Sequence, residues 1–153
     1  MSKMLKQAVK QGAYVYRGFG FPVVLMGVPM VKAMGVLTPD IKLNALELEL
    51  RVLLANKPSR LTGAEVRFLR QSYNLTLQQF AERFGVTHPA VIKWERARQK
   101  PSGMAWATEK DIRLYVLEQQ KAKPEQFVTA YRKLEKEPTA RPGRITIDAS
   151  DVA

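Results

Sequence analysis

The chain has 153 residues, 46% of them apolar, enough for one domain or two small ones with a core of their own and too apolar for a disordered polyelectrolyte. It has no cysteine, which excludes disulfides and thiolate metal sites and agrees with a reducing cytosol. A formal net charge of +11 suits a polyanionic partner, because each phosphate contact releases counterions; by itself it also fits an RNA binder, an anionic membrane surface or a merely soluble basic protein.

Residues 1–12, MSKMLKQAVKQG, suit a short frayed helix. From Ala13 to Gly35 short aromatic and β-branched runs are punctuated by Gly and Pro, so Tyr14–Tyr16, Pro22–Met26 and Met30–Ala33 are candidate strands of a small antiparallel meander. The run Phe21–Leu37 is the one stretch with membrane character. At 17 residues, broken by Pro22, Gly27, Pro29 and Gly35 and carrying Lys32, it is too short and too interrupted to span as a helix. Lys3, Lys6, Lys10 and Arg17 ahead of it form only a loose signal-peptide pattern. A cytoplasmic protein, with no membrane association, is the expectation.

Thr38-Pro39-Asp40 opens a helix whose apolar residues, Ile41 through Leu54, are dense enough that much of it should be buried; Asn56-Lys57-Pro58-Ser59 ends it. The rest reads as helical. Thr62 with Glu65 has capping-box spacing and starts a helix running to about Tyr73. Thr76 caps Leu77–Phe84, closed by Gly85, and Thr87 caps a third helix that tolerates Pro89 in its first turn. Helices from about Gly103 to Gln120 and from Pro124 to Lys136 follow. The tail, Pro138 to Ala153, is either flexible or adds one edge strand through Arg144–Asp148. The fold class expected is mainly α with a small N-terminal β meander (α+β). Residues 1–56 form an N-terminal module, 57–137 a helical domain and 138–153 a flexible tail.

The informative segment is Leu61–Pro101, LTGAEVRFLRQSYNLTLQQFAERFGVTHPAVIKWERARQKP. Residues 57–100 carry nine Lys/Arg against three Asp/Glu, while 101–153 are close to balance at nine against eight. Gly85-Val86-Thr87 joins two short helices by a turn in which Gly can take positive φ and Val86 plugs the core. Val66, Leu69, Phe80, Ala81, Phe84, Val91 and Trp94 recur at helical spacings, and helices this short persist only by packing together. Ala81 is small where two helices must approach closely. The outer face of the third helix is then left to His88, Pro89, Ala90, Ile92, Lys93, Arg96 and Arg98, an arrangement able to place a helix N-terminus in a major groove.

The segment resembles the Cro/repressor-type (XRE) helix-turn-helix family, with its small residue, Gly-Val-Ser/Thr turn and hydrophobic-x-x-Trp-Glu. By that resemblance Thr87, His88, Pro89, Ala90, Ile92 and Lys93 face the groove, Gln78 and Gln79 lie near the phosphate backbone, and Arg98 and Lys100 fall in the loop after the recognition helix, beside phosphates. Arg96 joins them on the basic face, where it, Arg67 and Arg83 also read as solvated charge. Arg70 and Glu95 resemble the family's internal ion pair, and Trp94 reads as core rather than as a stacking platform. Lys93 is the strongest candidate for base readout, since Lys can donate to guanine O6 and N7. His88, the single histidine, has no cysteine to share a metal with; it reads as a base or phosphate contact or as an exposed cap residue. Two departures stand out. Leu77 replaces the usual glutamine, removing one customary contact, and Ala97 replaces the usual glycine, so the third helix is expected to run longer.

The N-terminal third, followed by the leucine-rich helix, is similar in pattern to cysteine-less relatives of MqsA-type antitoxins, which place a small β-rich domain before the same motif. The zinc site of that first domain cannot be carried over without cysteines, and no cofactor or metal is expected. The resemblances together imply a transcriptional regulator, acting as a homodimer on an inverted-repeat operator in double-stranded DNA, and the antitoxin of a type II pair with a cognate toxin; the alternative is a stand-alone XRE-type regulator. An enzyme is not expected, since residues 1–56 show no paired carboxylates, activated nucleophile, phosphate loop or metal cluster. RNA is the poorer partner, because the deep narrow groove of A-form RNA does not admit a reading helix.

Overall fold

A computed structural model describes residues 6–8 and 12–152. Its strands are β1 (Lys6–Ala8), β2 (Ala13–Tyr16), β3 (Val23–Met26), β4 (Pro29–Ala33), β5 (Val36–Pro39) and β6 (Ile145–Asp148). Its helices are α1 (Leu43–Ala55), α2 (Gly63–Ser72), α3 (Leu77–Arg83), α4 (His88–Arg96), α5 (Trp106–Gln119) and α6 (Pro124–Lys133), and a 3-10 turn covers Ala149–Val152. The chain divides into two compact units, Met1–Glu49 with Arg144–Ala153, and Leu50–Gly143. The mainly-α class with a small set of strands is as expected.

In the first unit the strands do not follow one another as one meander. They split into two three-stranded sheets, in the orders β1-β4-β5 and β2-β3-β6. The switch falls at Gly27, whose φ of 66° turns the chain out of β3 before Pro29 starts β4. β4 and β5 form a hairpin closed by Met34 and Gly35, both at positive φ (50° and 82°), the backbone of a type I′ turn. This hairpin occupies Thr38 and Pro39, so α1 begins only at Leu43 and not at the Thr-Pro-Asp signal. The helix expected over residues 1–12 is replaced at Lys6–Ala8 by a strand antiparallel to β4; the remainder of that segment, save Gly12, lies outside the described residues.

β3 is central and buries Val23, Val24 and Leu25 in succession, the continuous apolar run of a strand covered on both faces. β2 pairs with it antiparallel and β6 parallel, with Val23 opposite Ile145 and Leu25 opposite Ile147. Of the two readings of the tail, the edge strand is the one found over Ile145–Asp148. The second unit is helical, its buried residues including Leu61, Val66, Leu69, Phe80, Val91, Ile112 and Val116.

The helix-turn-helix and its candidate nucleic-acid interface

Helix boundaries in this region are fixed by side-chain and left-handed backbone caps. Thr62 and Glu65 form a reciprocal capping box at the start of α2, with Glu65 N–H donating to Thr62 Oγ1 at 3.2 Å and Thr62 N–H to Glu65 Oε1 at 2.8 Å. Thr76 and Gln79 repeat it on α3 (3.1 and 2.9 Å), and Thr87 Oγ1 accepts from Ala90 N–H at 3.3 Å on α4. At the other ends Asn74, Gly85 and Arg98 adopt φ of 55°, 66° and 52°, each directly after the C-cap residue (Tyr73, Phe84 and Ala97) of α2, α3 and α4. After α3, Gly85 N–H bonds to Glu82 C=O and Val86 N–H to Ala81 C=O, a Schellman closure that stops the helix and swings the chain into α4. Val86 is half-buried, less of a core plug than its position in the turn implies.

Helix α4 is held from one side. Val91 and Trp94 are buried; Phe80 and Ala81 of α3 are buried as well. Arg70 of α2 grips Glu95 with two parallel bonds, Nε to Oε2 at 2.7 Å and Nη2 to Oε1 at 3.0 Å, while Nη1 donates to Leu75 C=O at 3.0 Å. A planar guanidinium used in this way fixes orientation as well as distance. The first turn of α2 meets the last turn of α4 at Gly63, where a Cβ would lie 2.3 Å from Trp94 O and 2.7 Å from Arg98 N. Gly63 N–H donates to Lys100 C=O and Ala64 N–H to Arg98 C=O, so the loop after α4 supplies carbonyls to the otherwise unpaired N-terminal amides of α2. Contrary to the expectation from Ala97, α4 is not extended: Ala97 stays right-handed as the cap and Arg98 takes the left-handed turn.

The expected contact residues then fall in three places. His88, Pro89, Ile92, Lys93 and Arg96 share one face of α4, the first, second, fourth and fifth exposed and Ile92 half-buried. Thr87 is exposed at the N-cap, and Ala90 lies half-buried at the flank of that face, four residues before Trp94. Arg98 and Lys100 are exposed in the loop anchored to α2. Gln78 and Gln79 are exposed on the first turn of α3, but both side chains have intramolecular partners: Gln78 Nε2 donates to Glu82 at 3.0 Å, and Gln79 Oε1 is the acceptor of the capping box. Lys93, Arg96, Arg98 and Lys100 form no ion pair among the described residues. Arg83 stacks over Phe84 and Tyr115 and sits 4.0 Å from Asp111, so its charge is shared with the α5 side.

Helix-end charges follow the same division. Glu65, Glu109 and Glu125 occupy the first turns of α2, α5 and α6, whereas α3 and α4 carry no acid there. Both helices of the motif thus leave the positive ends of their dipoles uncompensated by acids, as α1 also does.

A buried polar network escaped the sequence reading. Glu109, fully buried, accepts from Leu61 N–H (3.2 Å), Arg60 Nε (2.9 Å) and Arg113 Nη2 (2.8 Å). Arg113, also fully buried, donates to the carbonyls of Lys57 and Ser59; burial pushes its pKa down and Glu109 opposes that. The i,i+4 spacing of Glu109 and Arg113 was visible, but it looks the same on an exposed helix face.

Residues 66–105 match a family model described as Helix-turn-helix. No curated protein and no solved structure matches the chain. Caps, turn, ion pair and family match agree, and residues 66–105 are a helix-turn-helix of the Cro/repressor (XRE) type, a DNA-binding regulatory domain.

Proposed function

We propose that the protein is a sequence-specific transcriptional regulator, a repressor, that binds double-stranded DNA as a homodimer. Two α4 helices enter successive major grooves of an inverted repeat, and the bound dimer occludes a promoter. The carrying observation is the asymmetry of α4: Trp94 and Glu95 fix one side, while Lys93 and Arg96 project from the other without ion-pair partners among the described residues. Lys93 with Thr87, His88, Pro89, Ala90 and Ile92 reads base edges; Arg98, Lys100, Gln78 and Gln79 set the register on phosphates. Selection from random duplex DNA with the full chain tests this. Enrichment of an inverted repeat with half-sites about 34–36 Å apart is expected; a pool that stays random after repeated rounds contradicts it.

In the finer form of this reading the protein is the antitoxin of a type II pair repressing its own operon, with residues 1–56 as the dimerisation or toxin-binding module. The exposed apolar tip of the β4–β5 hairpin, Met34, Val36 and Leu37, supports a partner there. Inducing the adjacent open reading frame with and without this protein separates the alternatives. Growth arrest relieved by the protein supports the antitoxin, and no arrest leaves a stand-alone regulator.

A further inference from the structure

The second unit holds a cleft of about 250 Å³ on the side of α6 and the segment that follows it. Ala55, Pro58, Ala130 and Leu134 give it apolar walls, with Leu134 and Ala55 themselves buried. Its charged residues divide into two sets. Lys57 is committed to Glu65 through bonds of 2.6 and 2.9 Å, Arg113 is satisfied by Glu109 and two carbonyls, and Glu137 is paired with Arg60. Lys133 and Lys136 remain, exposed at the rim and without an ion pair among the described residues. An apolar slot whose lining carries two ammonium groups without ion-pair partners among the described residues suits a ligand with a short hydrocarbon body and an anionic head. The volume equals that of about eight waters at ~30 Å³ each, room for a ligand of about eight non-hydrogen atoms.

The geometry points to this cleft as a binding site for a small amphipathic monocarboxylate, its chain against Ala130 and Leu134 and its carboxylate between Lys133 and Lys136. The inference stands apart from DNA binding and uses none of the helix-turn-helix contact residues.

Trp106 supplies the readout, because its indole N–H donates to Leu134 C=O at 3.1 Å. The chain has two tryptophans, and Trp94, which does not line the cleft, serves as the internal control. The experiment is a titration of the full-length protein, without DNA, followed by the two indole resonances, with hexanoate as probe and hexanamide and sulfate as comparators. Hexanoate should shift the Trp106 signal saturably and leave Trp94 in place. Hexanamide should bind about tenfold more weakly or worse, as loss of a charge-assisted contact implies. The paired variant Lys133→Gln/Lys136→Gln, whose fold the unchanged Trp94 signal verifies, should weaken hexanoate by a similar factor. Ala130→Phe, filling the slot, should abolish the shift. The proposal is overturned by no saturable shift of Trp106, by equal binding to the lysine variant, or by sulfate reproducing the hexanoate shift, which would mean anion contact with surface lysines only.

Discussion

Gly63 and Arg98 sit on either side of one close approach, and each has a consequence that charge and hydropathy do not reveal. A side chain at 63 would run into backbone at Trp94 and Arg98, which cannot swing aside as a flexible side chain can. Gly63→Ala is therefore expected to destabilise the second unit by about 1–3 kcal/mol or more, the cost of overpacking; an unchanged urea midpoint would mean that α2 and α4 lie farther apart. Arg98 holds a left-handed φ of 52° that glycine adopts without strain. Arg98→Gly should raise stability by up to about 1 kcal/mol and at the same time weaken binding to every DNA sequence. Thermal unfolding and anisotropy titration on one preparation check both halves, and a gain in DNA affinity would remove Arg98 from the interface. Neither residue's part in this backbone approach was legible beforehand. Gly63 reads as an ordinary helix start, and the loss of the family's glycine at Ala97 pointed to a longer helix, because sequence does not say which residue takes over the left-handed turn. The Arg70–Glu95 pair was legible only through family resemblance, since 25 residues separate its members.

At the scale of elements, the neutral first turns of α3 and α4 separate stability from function. Gln79→Glu keeps the capping-box acceptor and adds a negative charge at the N-terminus of α3. It should stabilise the helix by about 0.3–1 kcal/mol and weaken DNA binding irrespective of sequence. Unaltered DNA affinity in this variant would place the start of α3 away from phosphates. The helices were the readable part of the fold, because Thr62, Thr76 and Thr87 announce their N-termini by local chemistry that tertiary context did not override. The strands were readable singly but not as sheets. β3 and β4 follow one another in sequence yet belong to different sheets, and β6 pairs with β3 across more than a hundred residues, a partnership no local pattern encodes. β5 was hidden because Thr38-Pro39-Asp40 imitates a helix start; Pro39, with no N–H to give, is tolerated there on an edge strand.

For the molecule as a whole, the proposal requires two copies on one duplex. A spacer of about five extra base pairs rotates one half-site by half a helical turn, and should reduce binding of the full chain to that of a single half-site. Equal affinity for both spacings, or for a lone half-site, would indicate that the chain binds as a monomer. The excess positive charge also acts at this scale, and binding should weaken steeply with salt, by about 0.9 logarithmic units per phosphate contact for each tenfold rise. The sequence pointed to DNA through the helix-turn-helix, but the dimer surface that the proposal requires could not be read from it, because a self-complementary patch has no local sequence signature.

The central claim is that α4 reads bases while the loop behind it holds phosphates. The most direct measurement compares Lys93→Ala and Arg98→Ala on the selected operator and on a scrambled duplex across a salt series. Lys93→Ala should lose about 1–3 kcal/mol on the operator and little on the scrambled duplex. Arg98→Ala should weaken both alike and flatten the salt slope by about one unit. If Lys93→Ala loses equally on both duplexes, or on neither, α4 is not the reading helix.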